Sequence, residues 1–397
     1  MSDVTHRWRA VAIESAEELQ AQGIPYCFEG AIALSLQGID ILDMDKIEIS
    51  VQWDLFAEAC NLFAAAQEKS VQKNEESATC TCSRAGILIA LTCYYNSVIV
   101  TDPDRVDIEQ DGHVVWVKSF EFFLRTRVSD DLTVQRIRDF LRHKQQTLHA
   151  LTERAWNQSA YDAWVTRFGQ PTAAAAQIAR NPRAQLTAIK RHVGAVEGKR
   201  IANLLGSHGR KAVALALLGA EVTVVDTSAE NAKYATEVAQ AAGVEIEYIV
   251  SDVLSLAQVD SKREFDIVLM ELGILHYFID LEPLAQVVIG LLGKGGRMIL
   301  QDFHPVSTKL ITSKGRKHKV TGNYFDATLE TTAVAFTKFV QDAKETHTVQ
   351  LRKWTLGEIV TAIARVGLCI RVLEEEPNHK VDDMGIPKTF TLVAEKV

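Results

Sequence analysis

The sequence predicts a two-domain α/β protein whose C-terminal half is a doubly wound, Rossmann-like sheet. Three observations carry this expectation. A strand, a Gly turn, a helix, a second strand and an acidic residue follow one another between Gly198 and Ser228. Short apolar runs then alternate with helical patterns to the end of the chain, which is the pattern of a sheet with helices packed on its faces. Finally, 397 residues make two domains the natural division.

Each element has its reason. Ile201 to Leu205 is short and unbroken, as a strand buried on both faces should be. Gly206, Ser207, His208 and Gly209 form a small-residue turn whose backbone N–H groups can face a ligand. Ala212 to Leu218 has almost no polar face, so this helix packs inward until Gly219 stops it. Val222 to Val225 is the next strand, with Asp226 at its tip. A carboxylate there can accept hydrogen bonds from a ribose hydroxyl pair. Ser228 caps an Ala-rich helix that ends at Gly243, with Glu230 in its first turn. A third strand runs to Asp252, a fourth passes Phe265 to Val268 into a loop, and a Gly295–Gly296–Arg297 turn opens a fifth. The helix after Thr355 and two closing strands, from Cys369 and Pro387, bring the count to seven.

This order resembles the class I S-adenosylmethionine-dependent methyltransferases. Their first motif reads D-x-G-x-G-x-G. Here Asn203 takes the Asp position, Leu205 and Ser207 take two of the glycines, and Gly209 matches the third. The resemblance implies S-adenosylmethionine as cofactor and an antiparallel last strand. It places Asn203, Gly206, Ser207 and Gly209 around the cofactor, with Asp226 and Thr227 at the ribose. Asp252 and Val253 fall at the adenine, and Glu271 and Leu272 after the fourth strand. Trp156 and Tyr161 come from an aromatic helical stretch before the sheet. In the family such a helix closes over the sulfonium, a cation that aromatic faces attract. A nicotinamide dehydrogenase would instead want G-x-G-x-x-G in the first turn, which this chain lacks.

Candidates for chemistry sit after the fourth and fifth strands: His276 and His304 as catalytic bases, with Asp302 nearby. Imidazole has a suitable pKa for that work near neutrality. An insertion at about 305–352 should lie over the acceptor side, with Tyr277, Tyr324 and Trp354 building the acceptor pocket. Lys314, Arg316, Lys317 and Lys319 read as a solvated loop. A net charge of -8 argues for a small-molecule acceptor and against a nucleic-acid partner. No stretch is apolar enough to span a membrane, and no signal-type core opens the chain, so cytoplasm is the expectation. The six cysteines lack zinc spacing and read as reduced thiols. The alternative to an enzyme is a non-catalytic cofactor-binding or regulatory protein.

Residues 1–145 read as a separate front domain, 146–195 as connecting helices, and 196–397 as the doubly wound domain. The front stretch, a Gly-initiated helix at Gly30 followed by the alternating strand from Lys46, resembles the nucleotidyltransferase-like fold. Active members hold two divalent metals on a D-x-D strand. Lys46 and Glu48 occupy those positions, while Asp43 and Asp45 precede the strand out of register. The resemblance therefore implies an inactive domain kept for substrate binding, regulation or dimerisation, so a homodimer stays open. Polar Gln67 to Thr81 reads as an exposed loop.

Overall fold

The computed structural model describes residues 3–41, 44–63, 70–126, 130–187, 189–256, 264–314, 317–340, 348–378 and 385–397. The chain divides into two compact units, Met1–Arg142 and His143–Val397. The division falls within the long helix Asp131–Trp156. Among the described residues no helix is long and apolar enough to cross a membrane.

The first unit is built on seven strands: β1 Tyr26–Glu29, β2 Lys46–Val51, β3 Ser70–Lys73, β4 Ser77–Arg84, β5 Ile87–Tyr94, β6 Arg105–Gln110 and β7 His113–Lys118. They pair in the order β3-β4-β5-β2-β1-β7-β6. The alternation at β2 puts Ile47, Ile49 and Val51 into the core. The polar stretch read as a loop is instead largely strand. Ala78, Cys80 and Cys82 of β4 point inward at period two and pair with β5. Small inward side chains among polar neighbours hide this alternation. Residues 64–69 and Asp43 lie outside the described residues.

The second unit carries the remaining strands: β8 Arg200–Leu204, β9 Glu221–Asp226, β10 Glu247–Val250, β11 Phe265–Glu271, β12 Leu292–Phe303, β13 Ile311–Lys314, β14 Lys317–Val320, β15 Leu329–Ala333, β16 Thr348–Arg352, β17 Cys369–Pro377 and β18 Pro387–Glu395. Seven of them form one mixed sheet in the order β10-β9-β8-β11-β12-β18-β17, with β18 antiparallel to both neighbours. Successive residues bury on opposite faces. Ala202, Leu204, Val268 and Met270 join one core cluster, while Ile201, Ile267 and Leu269 join the other. That two-sided burial explains the unbroken apolar runs. The chain starts at β8 and grows outward in both directions, so the order reverses between β8 and β11. Ligands of open α/β sheets bind at such a switch point, beyond the carboxyl ends of the strands.

Helices Ala160–Phe168 and Pro171–Arg180 belong to this unit and pack with helix Ala229–Ala242 in a third cluster. The insertion forms two hairpins, β13 with β14 and β15 with β16. Lys317 and Lys319 of the basic cluster lie on β14, while Arg316 and the side chain of Lys314 are outside the described residues.

Candidate functional site

The turn between β8 and helix Arg210–Leu217 sets the site. A Cβ on Gly206 would lie 2.6 Å from Val224 Cγ1 and 2.8 Å from Asn203 Oδ1, so only glycine fits. Gly209 has φ +68°, and a Cβ there would meet Ala235 Cβ at 2.5 Å. Leu205 and Ser207 adopt positive φ as well, at +49° and +46°, a region that costs side-chain-bearing residues about 1–2 kcal/mol. Side-chain contacts brace the turn beyond its own backbone bonds. Ser207 N–H donates to Asp226 Oδ2 at 3.0 Å, and Tyr248 Oη donates to the Ser207 carbonyl at 2.7 Å.

Above this turn lies a cleft of about 490 Å³ in the second unit. Asp226 and Asp252, on the adjacent tips of β9 and β10, mark one end. Asp226 Oδ1 also accepts from Ser228 N–H and the Asn231 amide, each at 3.0 Å. Burial still pushes its carboxyl above the usual range, against the pull of those donors. Asp252 accepts from Leu254 N–H at 3.0 Å. His149, from helix Asp131–Trp156, spans the two tips. Its Nε2 lies 3.3 Å from Thr227 Oγ1 and its Nδ1 lies 3.7 Å from Asp252 Oδ1.

In the middle of the cleft, the Lys211 ammonium contacts the Glu271 carboxylate. Burial raises the Glu271 pKa, with Lys211 opposing it. Asn203 donates to the Leu269 carbonyl at 3.4 Å and so ties β8 to β11. The loop after β11 is braced on two sides. Gln145 donates to the Tyr277 carbonyl at 3.0 Å and accepts from Ile279 N–H at 2.9 Å. Trp156 Nε1 donates to Tyr277 Oη at 3.3 Å, and burial pushes that phenol up to about 12. His276 faces the cleft, and burial lowers its pKa so that the imidazole stays neutral. In the turn, His208 sits between Trp164 and Phe168, with ring centroids at 4.8 Å from each. Desolvation pushes it down to about 3. Its Nδ1 accepts from Arg210 N–H at 3.4 Å.

The geometry makes a polar-ended, aromatic-walled pocket at the switch point, with carboxylates on successive strand tips. Residues 205–300 match the model of a methyltransferase domain. No curated protein matches the chain. Among solved structures the chain is similar to an S-adenosylmethionine-dependent methyltransferase from Mesorhizobium loti, at 22% identity over 53% of this chain and 97% of that one, with TM-score 0.42. It is also similar to magnesium protoporphyrin IX methyltransferase from Synechocystis PCC 6803 with bound S-adenosylhomocysteine. That match has 14% identity over 62% of this chain and 99% of that one, with TM-score 0.40.

The second unit brings some of the anticipated residues to the cleft and keeps others away. Asn203, Gly206 and Ser207 line it at the turn, Thr227 and Val253 beside the acidic tips, and Leu272 with Glu271 after β11. Trp156, Tyr277 and His276 line it from the other side. Gly209 instead packs under the turn against Ala235. Tyr161 bonds Glu237 and stacks edge-on against Tyr234, away from the cleft, because its helix turns Trp164 inward instead.

Three anticipated chemical residues have structural partners instead. His304 is buried, its Nδ1 accepts from Val306 N–H at 3.1 Å, and its Nε2 lies 2.6 Å from Glu375 Oε1. Along β12 the side chains alternate, so Phe303 faces the cleft and His304 turns from it. Tyr324 Oη accepts from Leu356 N–H at 3.0 Å, at the start of helix Leu356–Arg365. Trp354 is buried and donates to the Leu275 carbonyl at 3.0 Å, bracing the His276 loop from beneath. Asp302 does the same through its carboxylate, which accepts from the N–H groups of Gly273, Ile274, Leu275 and Phe303. Sequence reasoning missed His149, Gln145, Lys211, Arg167 and Lys338, all lining the cleft. Lys211 sits two residues after Gly209, so that motif position held the available signal.

Proposed function

We propose that the second unit transfers a methyl group from S-adenosylmethionine to a small-molecule acceptor. One observation carries the reading: Asp226 and Asp252 stand on adjacent strand tips beside the Gly206–Gly209 turn, around a single cleft. That donor set fits the cofactor. Asp226 Oδ2 has one protein donor and can accept a second bond from a ribose hydroxyl. Asp252 is placed for the adenine amino group. Gly206 lines the cleft with backbone alone. The Lys211–Glu271 pair matches a zwitterionic amino acid, cation to carboxylate and carboxylate to ammonium.

When bound, S-adenosylmethionine supplies a methyl group already activated by the sulfonium charge. The protein's residues then bind, orient and exclude water. Trp156 and Tyr277 close one wall, and Gln145 fixes the loop that carries Tyr277. Of the cleft-lining groups, His276 is the base in this reading, because burial favours its neutral imidazole, which can take an acceptor proton. The net charge of -8 favours a small acceptor over nucleic acid.

We read the first unit as a nucleotidyltransferase-like domain without transfer activity, retained for binding. Lys46 pairs with Glu48 at 2.9 Å, so an ammonium stands where a divalent cation would need a ligand. Labelling of any acceptor with Mg²⁺ and nucleoside triphosphates, abolished by Glu48→Gln, would refute this.

Calorimetry with S-adenosylhomocysteine tests the main reading. One site per chain is expected, with S-adenosylmethionine competing for it. A folded chain that binds neither ligand would overturn it.

A further inference from the structure

Charge is sorted along the cleft. The end beyond β9 and β10 is acidic through Asp226 and Asp252. The middle is balanced, because Lys211 and Glu271 neutralise one another. The cleft is also lined by two further cations, Arg167 from helix Ala160–Phe168 and Lys338 from the insertion. They share one aromatic ring. The Arg167 guanidinium carbon lies 4.7 Å from the Phe339 ring centre, and the Lys338 ammonium lies 5.2 Å from it. Both are exposed, and among the described residues neither meets a carboxylate. Two like charges gathered over one ring, with no carboxylate against them among the described residues, repel each other, and an anion beside both relieves that repulsion. Phe303, Trp164 and Ala335 line the same cleft and offer an apolar wall beside the charges.

We propose that the methyl acceptor carries an anionic group, phosphate or carboxylate, that docks between Arg167 and Lys338. The inference rests on the methyl-transfer reading and narrows its substrate class. A cofactor carboxylate is the other anion that could reach these cations. Lys211 already provides a cation for it, half-buried beside Glu271 in the middle of the cleft. The insertion thereby gains a purpose, since it supplies Lys338 and Ala335 to the cleft.

The test uses the full chain at fixed ionic strength. Phenyl phosphate, benzoate and phenol are titrated with and without saturating S-adenosylhomocysteine. Saturable binding of phenyl phosphate or benzoate is expected, with no comparable binding of phenol. The Arg167→Gln/Lys338→Gln double variant should weaken the anion at least tenfold. Lys199→Gln, which removes a cation outside the cleft, should change nothing. Both cleft side chains are exposed, so the variant should keep its melting temperature. Its affinity for S-adenosylhomocysteine should stay within twofold.

Failure of both anions to bind, or equal binding by the double variant or by phenol, overturns the proposal. So does a tenfold loss of S-adenosylhomocysteine affinity with unchanged affinity for methylthioadenosine, which lacks the carboxylate. A wild-type chain that binds no S-adenosylhomocysteine defeats the methyl-transfer reading instead. In that event the titrations without it still decide whether the anion site exists.

Discussion

Replacing Asp226 with Ala separates what this carboxylate does for a ligand from what it does for the fold. Its oxygens accept from Ser207 N–H, Ser228 N–H and the Asn231 amide, each at 3.0 Å. A ribose hydroxyl would add a charge-assisted bond. Losing that bond should cost about 1.5–3 kcal/mol of binding, or roughly 10- to 150-fold in affinity. The three protein donors lose their acceptor too. Water from the cleft can replace part of it, so a stability loss of about 2 kcal/mol is expected. Calorimetry gives the first quantity and urea unfolding the second. The ribose is common to S-adenosylhomocysteine and methylthioadenosine, so both must weaken together. Unchanged affinity for either ligand in a folded variant would refute the ribose assignment. A loss confined to S-adenosylhomocysteine would mean that Asp226 acts on the amino-acid end.

Other perturbations probe the rest of the cleft. Lys211→Met and Glu271→Gln should each weaken S-adenosylhomocysteine about tenfold and leave methylthioadenosine unchanged, unlike the joint loss expected for Asp226; calorimetry that finds equal losses for both ligands would remove the pair from the amino-acid end. His208 is held at about 3 in the folded chain, below the roughly 6.5 of an unfolded histidine. The unfolded state therefore takes up the proton first, so stability is complete above pH 6.5 and falls as pH drops toward 3. Between pH 7 and pH 5 the loss should be about 2 kcal/mol, read from urea midpoints. His208→Gln should flatten that slope, leaving what His276, also lowered, contributes with the same sign. His304→Ala should cost about 1–3 kcal/mol of stability through its lost partners without altering S-adenosylhomocysteine affinity; unchanged urea midpoints with weakened binding would return His304 to the site.

The sheet was legible because it buries both faces. Runs such as Val222–Val225 and Ile267–Met270 must be largely apolar, as must Ile201–Leu204 apart from Asn203, and few other elements need that. Asp226 and Asp252 were legible for a related reason, since a strand tip is a fixed address once the strand is found. The chemical residues were harder. His304 and Phe303 are neighbours in sequence, yet period-two alternation sends them to opposite sides of β12. Choosing the right one requires knowing which face of the strand end meets the cleft, and β18 and β17, which contribute Lys388 and Glu375 around His304, come much later in the chain. Trp354 and Tyr324 failed similarly: an aromatic in or just after an insertion fills whichever gap the tertiary packing leaves. His149 and Gln145 had no local signal at all, because their helix reads by its apolar positions and they are not among them.

The first motif shows how a departure in sequence can leave the backbone shape in place. Leu205 and Ser207 stand where the family pattern has glycine, and both still adopt the left-handed conformation. That costs about 1–2 kcal/mol at each position, so something must impose it. Asp226 and Tyr248 bind the N–H and the carbonyl of Ser207, one on each side of its Cα. At Gly206 and Gly209 no such trade is available, because a Cβ would come within 2.6 Å of Val224 and 2.5 Å of Ala235. Strain at the first pair can be offset by hydrogen bonds, whereas overlap at the second pair would have to push the packed β9 strand or the Ala229–Ala242 helix aside. The turn therefore retains glycine where sterics are absolute and gives it up where hydrogen bonds can carry the conformation. The same logic covers Asn203, whose amide ties β8 to β11. A carboxylate there could not donate that bond, and the negative charge at the middle of the cleft comes instead from Glu271, held by Lys211.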